Sequence, residues 1–335
     1  MRSPLLTRLD GLPSDELFAI PATRTASAYV ESFMTRENRD VTSVRAGVLE
    51  VAVEQHGDPK GWPVVLLHGF PYDVRCYDQV EPPLAAAGAH VFVPYLRGYG
   101  PTRFIDPTTP RSGQQAALAA DLRELISALG LSAPIVAGFD WGGRAACVAA
   151  ALWPQVVRAL VSVSGYNVQK ISAAATPAPP EFERSLWYQY YLHGQRGRAG
   201  LETYRREFTR LLWQEWSPHW SFTDDEFAAT ATSFDNPDFV DVVVHSYRHR
   251  YGLVAGDPAY QKLEDKITAQ PPIPVPTVVI ESQCDPLIPF ALPRAAHEWR
   301  FPALLDVRSV EAGHNVPQEA SAAFADAILH AHANS

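Results

Sequence analysis

Asp140 stands in Val136-Ala-Gly-Phe-Asp-Trp-Gly-Gly-Arg144, where a short apolar run gives way to a helical pattern. A Gly-x-nucleophile-x-Gly turn between strand and helix lifts one side chain above a sheet, and small neighbours let the strand and helix approach closely. A lone Asp before Gly is otherwise a turn or helix-cap residue. The strand–turn–helix setting points instead to a nucleophile. Downstream, an acid follows the apolar run Val278-Val-Ile-Glu-Ser-Gln-Cys-Asp285, and His314 lies in Glu311-Ala-Gly-His-Asn315. Glu281 and Glu311 are alternative acids. Asp285 is preferred because Asp285-Pro-Leu-Ile-Pro reads as a turn leading off a strand end. The chain order is nucleophile, acid, histidine.

Upstream lies Leu66-Leu-His-Gly-Phe-Pro71, again at the end of an apolar run. Its backbone can turn beneath the site, so the N–H groups of Phe70 and Trp141 are the expected oxyanion hole. Gly69 permits an unusual backbone angle, and a cis Phe70–Pro71 bond is allowed for. His68 is expected to be structural.

The residue type at the elbow selects the chemistry. A serine must lose a proton before it attacks, which suits acyl transfer. A carboxylate is already ionised and displaces a leaving group from an sp³ carbon, leaving an alkyl ester on the enzyme. His314, oriented by Asp285, would then activate water against the Asp140 carboxyl carbon. Two leaving groups fit. An epoxide oxygen wants acidic O–H donors, and a halide wants weak donors such as indole N–H.

These residues need a scaffold. Val41–Val53 alternates like a hairpin around Ala46-Gly47. Apolar, β-branched runs follow at Val64–Leu67, His90–Val93, Pro134–Gly138, Ala159–Val163, Pro276–Ile280 and Leu304–Val310, with helical patterns at Tyr77–Ala87, Gly113–Leu129 and Gly143–Leu152. Strands apolar on both faces that alternate with helices predict a parallel sheet covered on both sides. The alternation stops after Ser164 and resumes at Pro276. The interval is helix-like and rich in Trp and Tyr, and Thr176-Pro-Ala-Pro-Pro180 and Pro271-Pro-Ile-Pro-Val-Pro276 bracket it. An insertion at the carboxyl end of a parallel strand lands over the ligand crevice, so it is read as a lid.

Over about residues 45–333 the chain resembles the epoxide hydrolases of the α/β-hydrolase fold. The matching motifs are His68-Gly-Phe-Pro71, Asp140-Trp-Gly-Gly143, Asp285-Pro-Leu-Ile-Pro and Gly313-His314. The resemblance implies a mostly parallel eight-stranded sheet with a helical cap inserted after strand 6. Residues 41–166 and 273–335 would form the core, 167–272 the cap and 1–40 an N-terminal extension. It also implies two cap tyrosines that donate to the epoxide oxygen. Tyr188 matches the first, in Trp187-Tyr-Gln-Tyr-Tyr191, and Tyr247 the second, in Ser246-Tyr-Arg248. Tyr190, Tyr191 and Tyr251 are substitutes if that register slips. Trp187 and Pro71 are expected to touch substrate. The implied reaction opens an epoxide to a vicinal diol.

Two related groups supply the rival reading, dehalogenation. Haloalkane dehalogenases share a Trp after the nucleophile, as Trp141 does, but often carry Asn where Phe70 stands. Fluoroacetate dehalogenases share His-Gly-Phe-Pro and an Asp-x-Gly-x-Arg elbow. They place Arg where Trp141 stands and His-Trp at Tyr188-Gln189. A non-catalytic small-molecule binder is a further alternative. Asp241, His245 and His249 share a helix face and could hold a metal, but a packed helix face is the preferred reading.

Composition bounds the rest. The 335 residues are 47% hydrophobic and 19% charged, enough to bury a core and too apolar for a disordered chain. A net charge of −9 argues against nucleic acid as a partner. Neither a transmembrane run nor a signal peptide is discernible, and three scattered cysteines suggest no disulfide framework, so a cytoplasmic enzyme is expected. No metal or cofactor is expected. The expected partners are water and a bulky or aromatic epoxide, with a homodimer left open.

Overall fold

The computed structural model describes residues 41–288 and 292–335; the N-terminal extension expected at 1–40 lies outside them. The first two strands, β1 (Val41–Ala46) and β2 (Leu49–Gly57), form an antiparallel hairpin in which Ala46 faces Leu49. Gly47 turns that hairpin with φ +57°, an angle glycine adopts at no steric cost. The later strands are β3 (Trp62–Leu67), β4 (Ala89–Pro94), β5 (Arg103–Phe104), β6 (Ile135–Gly138), β7 (Ala159–Val163), β8 (Thr277–Ser282) and β9 (Leu304–Val310). Their order across the sheet is β1-β2-β4-β3-β6-β7-β8-β9, with β5 beside β2. From β4 to β9 every neighbouring pair is parallel, while β2 runs antiparallel to β4.

Thus eight strands form the continuous path expected. The ninth, β5, has only two residues, too few to leave a periodic signal. Val64, Val65, Leu66, Val136, Ala137, Leu160, Val161, Val278 and Val279 are fully buried. Both sheet faces are therefore covered, and each large apolar side chain among these contributes about 1.5–3 kcal/mol.

The helices between β3 and β7 are α1 (Glu81–Ala86), α2 (Gln115–Ala128) and α3 (Asp140–Leu152). α1 starts later than the pattern from Tyr77 suggests. Pro82 and Pro83 fit only a first helical turn, so a separate 3₁₀ turn, Val74–Tyr77, precedes it, capped by the Asp73 carboxylate on Arg75 N–H. α3 begins at Asp140 rather than at Gly143, because the elbow residue itself opens the helix.

Between β7 and β8 lie α4 (Pro180–Ser185), α5 (Trp187–His193), α6 (Gln195–Thr203), α7 (Arg205–Trp216), α8 (Asp224–Ala231), α9 (Phe239–His249) and α10 (Gln261–Thr268). After β8 come α11 (Arg294–Arg300), α12 (Val316–Glu319) and α13 (Ser321–Ala333).

The chain leaves β3 for β4 on one side and returns to β6 on the other. The carboxyl ends of β3 and β6 are neighbours, with Leu67 facing Gly138. Such a reversal opens a crevice at the strand ends. Close approach of α3 to β3 deepens it: a Cβ on Gly142 would fall 2.0 Å from the Leu67 carbonyl oxygen. Backbone cannot yield there. Gly142→Ala should therefore lower the unfolding free energy by about 1–3 kcal/mol, read as a reduced urea midpoint at unchanged slope.

Candidate active site

The two strand ends meet at Asp140. This residue has φ +47°, uncommon for a side chain with a Cβ and worth about 1–3 kcal/mol of strain. Phe139 before it is extended, so the chain passes from strand to helix in one residue. The Phe70 N–H, beyond β3, donates to Asp140 Oδ1 at 2.7 Å. Gly69 lies so close that a Cβ there would come within 2.5 Å of that same oxygen. The Phe70–Pro71 peptide is cis, and the Pro71 carbonyl accepts from Trp213 Nε1 at 2.9 Å. His68 is fully buried, with Leu96 N–H donating to its Nε2 at 3.1 Å, and burial pulls its pKa down to about 4. A neutral, bonded imidazole of this kind holds the turn.

His314 reaches the nucleophile from the loop after β9. Its Nε2 lies 3.6 Å from Asp140 Oδ2, and its Nδ1 lies 2.8 Å from Asp285 Oδ2. Asp285 is buried, and its other oxygen accepts from Leu287 N–H at 2.8 Å. This fixes Nδ1–H on Asp285 and leaves Nε2 facing Asp140. The His314 backbone N–H is itself held by the Trp216 carbonyl and Ser217 Oγ, from the end of α7. Neither alternative acid takes this place: Glu281 bonds His297 at 2.9 Å, and Glu311 is exposed.

Burial alone would depress the His314 pKa, but the charge of Asp285 and contact with Asp140 outweigh it and raise the pKa to about 10. Burial would likewise raise Asp140, but His314, Arg250 and Arg144 outweigh it and hold its carboxyl below the usual range. The resting site is therefore an imidazolium between two carboxylates.

Tyr188 and Tyr247 are both buried, their rings edge to face at 5.3 Å. Gln189 Nε2 donates to Tyr188 Oη at 2.7 Å, which leaves the phenolic proton free to point elsewhere. Tyr247 packs against Phe70 and Trp141, and its hydroxyl has no hydrogen-bond partner among the described residues. Burial raises the pKa of both phenols, so both remain protonated donors. The other tyrosines are placed differently. Tyr190 is exposed and bonds Glu183, Tyr191 packs on Phe208, and Tyr251 packs on His193.

A cavity of about 140 Å³ is lined by Asp140, Tyr188, His314, Arg144, Arg250 and Asn167 among others; Tyr247 is not on its wall but packs behind Tyr188. That volume is below the roughly 300–1,000 Å³ of drug-sized ligand pockets. Neither Pro71 nor Trp187, the expected substrate contacts, lines it. The Pro71 carbonyl accepts from Trp213, and the Trp187 indole bonds Glu215 at 2.8 Å and packs on Phe208. Nor do the aromatics of 213–222 enlarge it, because Trp213, Trp220 and Phe222 stack on one another at 5.1–5.2 Å. The metal reading of α9 fares no better: His245 bonds Gly113 N–H and the Ala255 carbonyl, while Asp241 pairs with Arg198.

The two arginines were given no role from sequence. Arg144 closes the elbow motif one turn after Asp140. Arg250 lies three residues beyond Tyr247, a spacing that puts both on one helix face.

The α/β hydrolase fold family matches residues 63–320. This chain belongs to that family. A crystal structure of a protein provisionally assigned as an epoxide hydrolase, from Klebsiella pneumoniae, is 43% identical; it superposes with a TM-score of 0.84 over 87% of this chain and 96% of that one. A soluble epoxide hydrolase from Corynebacterium is 41% identical over 87 residues, 26% of this chain and 28% of that protein. Epoxide hydrolase A of Mycobacterium tuberculosis is 34% identical over 134 residues, 36% of this chain and 39% of the relative. The matched stretches thus cover well under two thirds of these curated relatives. Among the described residues, no helix is long and apolar enough to cross a membrane.

The electrostatics make a prediction about titration. With a folded pKa of about 10 against 6.5, His314 adds stability that is complete below pH 6.5 and is lost as pH rises toward 10. Asp140→Asn removes one of the two charges that sustain this shift. Its His314 imidazole should titrate at lower pH by NMR, and the loss of stability above pH 6.5 should shrink.

Proposed function

We propose that this protein is an epoxide hydrolase that works through an ester on Asp140. The observation that carries the reading is the buried Tyr188–Tyr247 pair, in which Tyr188 shares a cavity wall with a carboxylate whose two oxygens face Phe70 N–H and His314. Helices α4 to α10 act as the cap that brings both tyrosines over the core.

In the first step an Asp140 oxygen forms a bond to an epoxide carbon while the ring C–O bond breaks. Tyr188 or Tyr247 gives its proton to the departing oxygen. The cavity favours a compact reacting group.

Esterification removes the charge of Asp140, so one cause of the high His314 pKa disappears. The imidazolium can then return a proton to the tyrosinate left by the first step, and the neutral imidazole, oriented by Asp285, takes a proton from the attacking water. Hydroxide adds to the Asp140 carboxyl carbon, and the Phe70 and Trp141 N–H groups stabilise the oxyanion, each worth about 3–4 kcal/mol. Collapse re-forms the Asp140 carbonyl and breaks the ester C–O bond; the departing oxygen takes the carboxyl proton, which gives the vicinal diol, an ionised Asp140 and a protonated His314.

One observation favours a second reading. The indole N–H groups of Trp141 and Trp216 are buried without partners, and both could cradle a halide. Dehalogenation by the same nucleophile is therefore the rival.

Intact-protein mass spectrometry on His314→Ala separates the two. Without its base the enzyme should alkylate and stall. The expected gain is the mass of the whole epoxide, mapped to Asp140, and adding Tyr247→Phe should slow its appearance about 100-fold. A gain equal to an alkyl group alone, with halide set free, would establish the rival. No adduct with either compound class would leave a binding protein.

A further inference from the structure

Arg144 and Arg250 line the cavity, yet neither step above uses them. Arg250 is 8% exposed, and its Nη2 is buried without a hydrogen-bond partner. Arg144 donates from Nη1 to Gln169 Oε1 at 3.0 Å, but its Nε is buried and unpartnered. Neither guanidinium makes an ion pair with any described residue. Burial and the neighbouring Arg250 charge together push the Arg144 pKa down to about 10.

Arg250 lies over the Tyr247 ring at 4.7 Å and the Trp141 ring at 5.7 Å, which offsets part of its burial, but a buried guanidinium beside a half-buried one, neither with a counterion, remains unfavourable. Among the described residues, the one carboxylate on the cavity wall is Asp140. It is already shared by Phe70 N–H and His314, and alkylation would remove its charge. Glu264 also feels Arg144, but Ala116 N–H and Gln115 Nε2 occupy it. Asp140 faces His314 and Phe70 N–H, so both guanidiniums on the cavity wall are left without a carboxylate of their own. Planar guanidiniums are well matched to a carboxylate.

We infer that Arg144 and Arg250 form an anion subsite and that the substrate is an epoxide carrying a carboxylate beside the ring. The inference rests on the epoxide hydrolase reading and narrows it. Asp140 and both guanidiniums line one cavity of about 140 Å³, so ring and carboxylate are expected few bonds apart. The product would be a 2,3-dihydroxy acid.

The test compares oxirane-2-carboxylate with its uncharged isostere, oxirane-2-carboxamide. The wild-type kcat/KM should favour the acid by about 100-fold, the scale of a hydrogen bond to a charged group. Arg250→Gln and Arg144→Gln should each erode that preference at least about tenfold, chiefly through KM. Calorimetry with glycerate, the product acid, against glycerol needs neither turnover nor a variant. Glycerate should bind wild type and glycerol should not. If the amide is opened as fast as the acid and glycerate fails to bind, the subsite is overturned while the epoxide hydrolase reading stands. If glycerate binds and Arg250→Gln abolishes it, but neither epoxide is opened or trapped on His314→Ala, the anion subsite stands and the epoxide reading falls.

Discussion

The site is organised around one strained carboxylate. Asp140 sits at φ +47° with one oxygen on the Phe70 N–H and the other facing His314. Each contact comes from a different part of the chain, and each dictates local sequence. The Phe70 contact needs the turn after β3 to pass beneath the elbow, which leaves no room for a side chain at Gly69. The elbow needs α3 against β3, which leaves none at Gly142. The His314 contact needs an acid after β8 to hold the ring, and Asp285 is there. An isolated Asp would relax out of this conformation. Here the parallel sheet holds it, because β3 and β6 are hydrogen-bonded neighbours whose ends cannot separate without breaking the core.

That placement also governs the electrostatics. A buried carboxylate would normally be pushed toward its neutral form. The imidazolium and two guanidiniums reverse the sign, so the nucleophile remains an anion although little of it is exposed. The phenols respond oppositely: burial keeps Tyr188 and Tyr247 protonated. One apolar shell, with Phe70, Trp141 and Trp216 packed around the tyrosines, thus coexists with an ionised nucleophile and neutral acids. The same nucleophile charge holds the proton on His314, so esterification itself frees the imidazole for the next step.

Much of this was legible in the sequence, for local reasons. A strand buried on both faces reads as an apolar run, and a strand–turn–helix elbow keeps its small residues contiguous. β9 falls at Leu304–Val310, where its run of apolar residues lies. What escaped depends on contacts distant in sequence. The start of α1 hinges on two prolines that the helical period ignores. β5 is two residues held by β2. Trp187 is half of an indole–carboxylate pair with Glu215, 28 positions away. Arg144 and Arg250 look like ordinary surface charges in their own segments and become notable only when the fold puts both against one buried space. Aromatic density in the cap suggested a large pocket, but rings attract rings, and these pack mainly on one another.

The ester on Asp140 is the central claim, and the source of the oxygen in the first diol tests it most directly. With enzyme in excess over epoxide in ¹⁸O-water, a single turnover should give unlabelled diol, because the new oxygen comes from Asp140; the label should appear in the Asp140 carboxylate. Diol carrying solvent oxygen in that first turnover would mean that water attacks the epoxide directly, and that Asp140 is a base rather than a nucleophile.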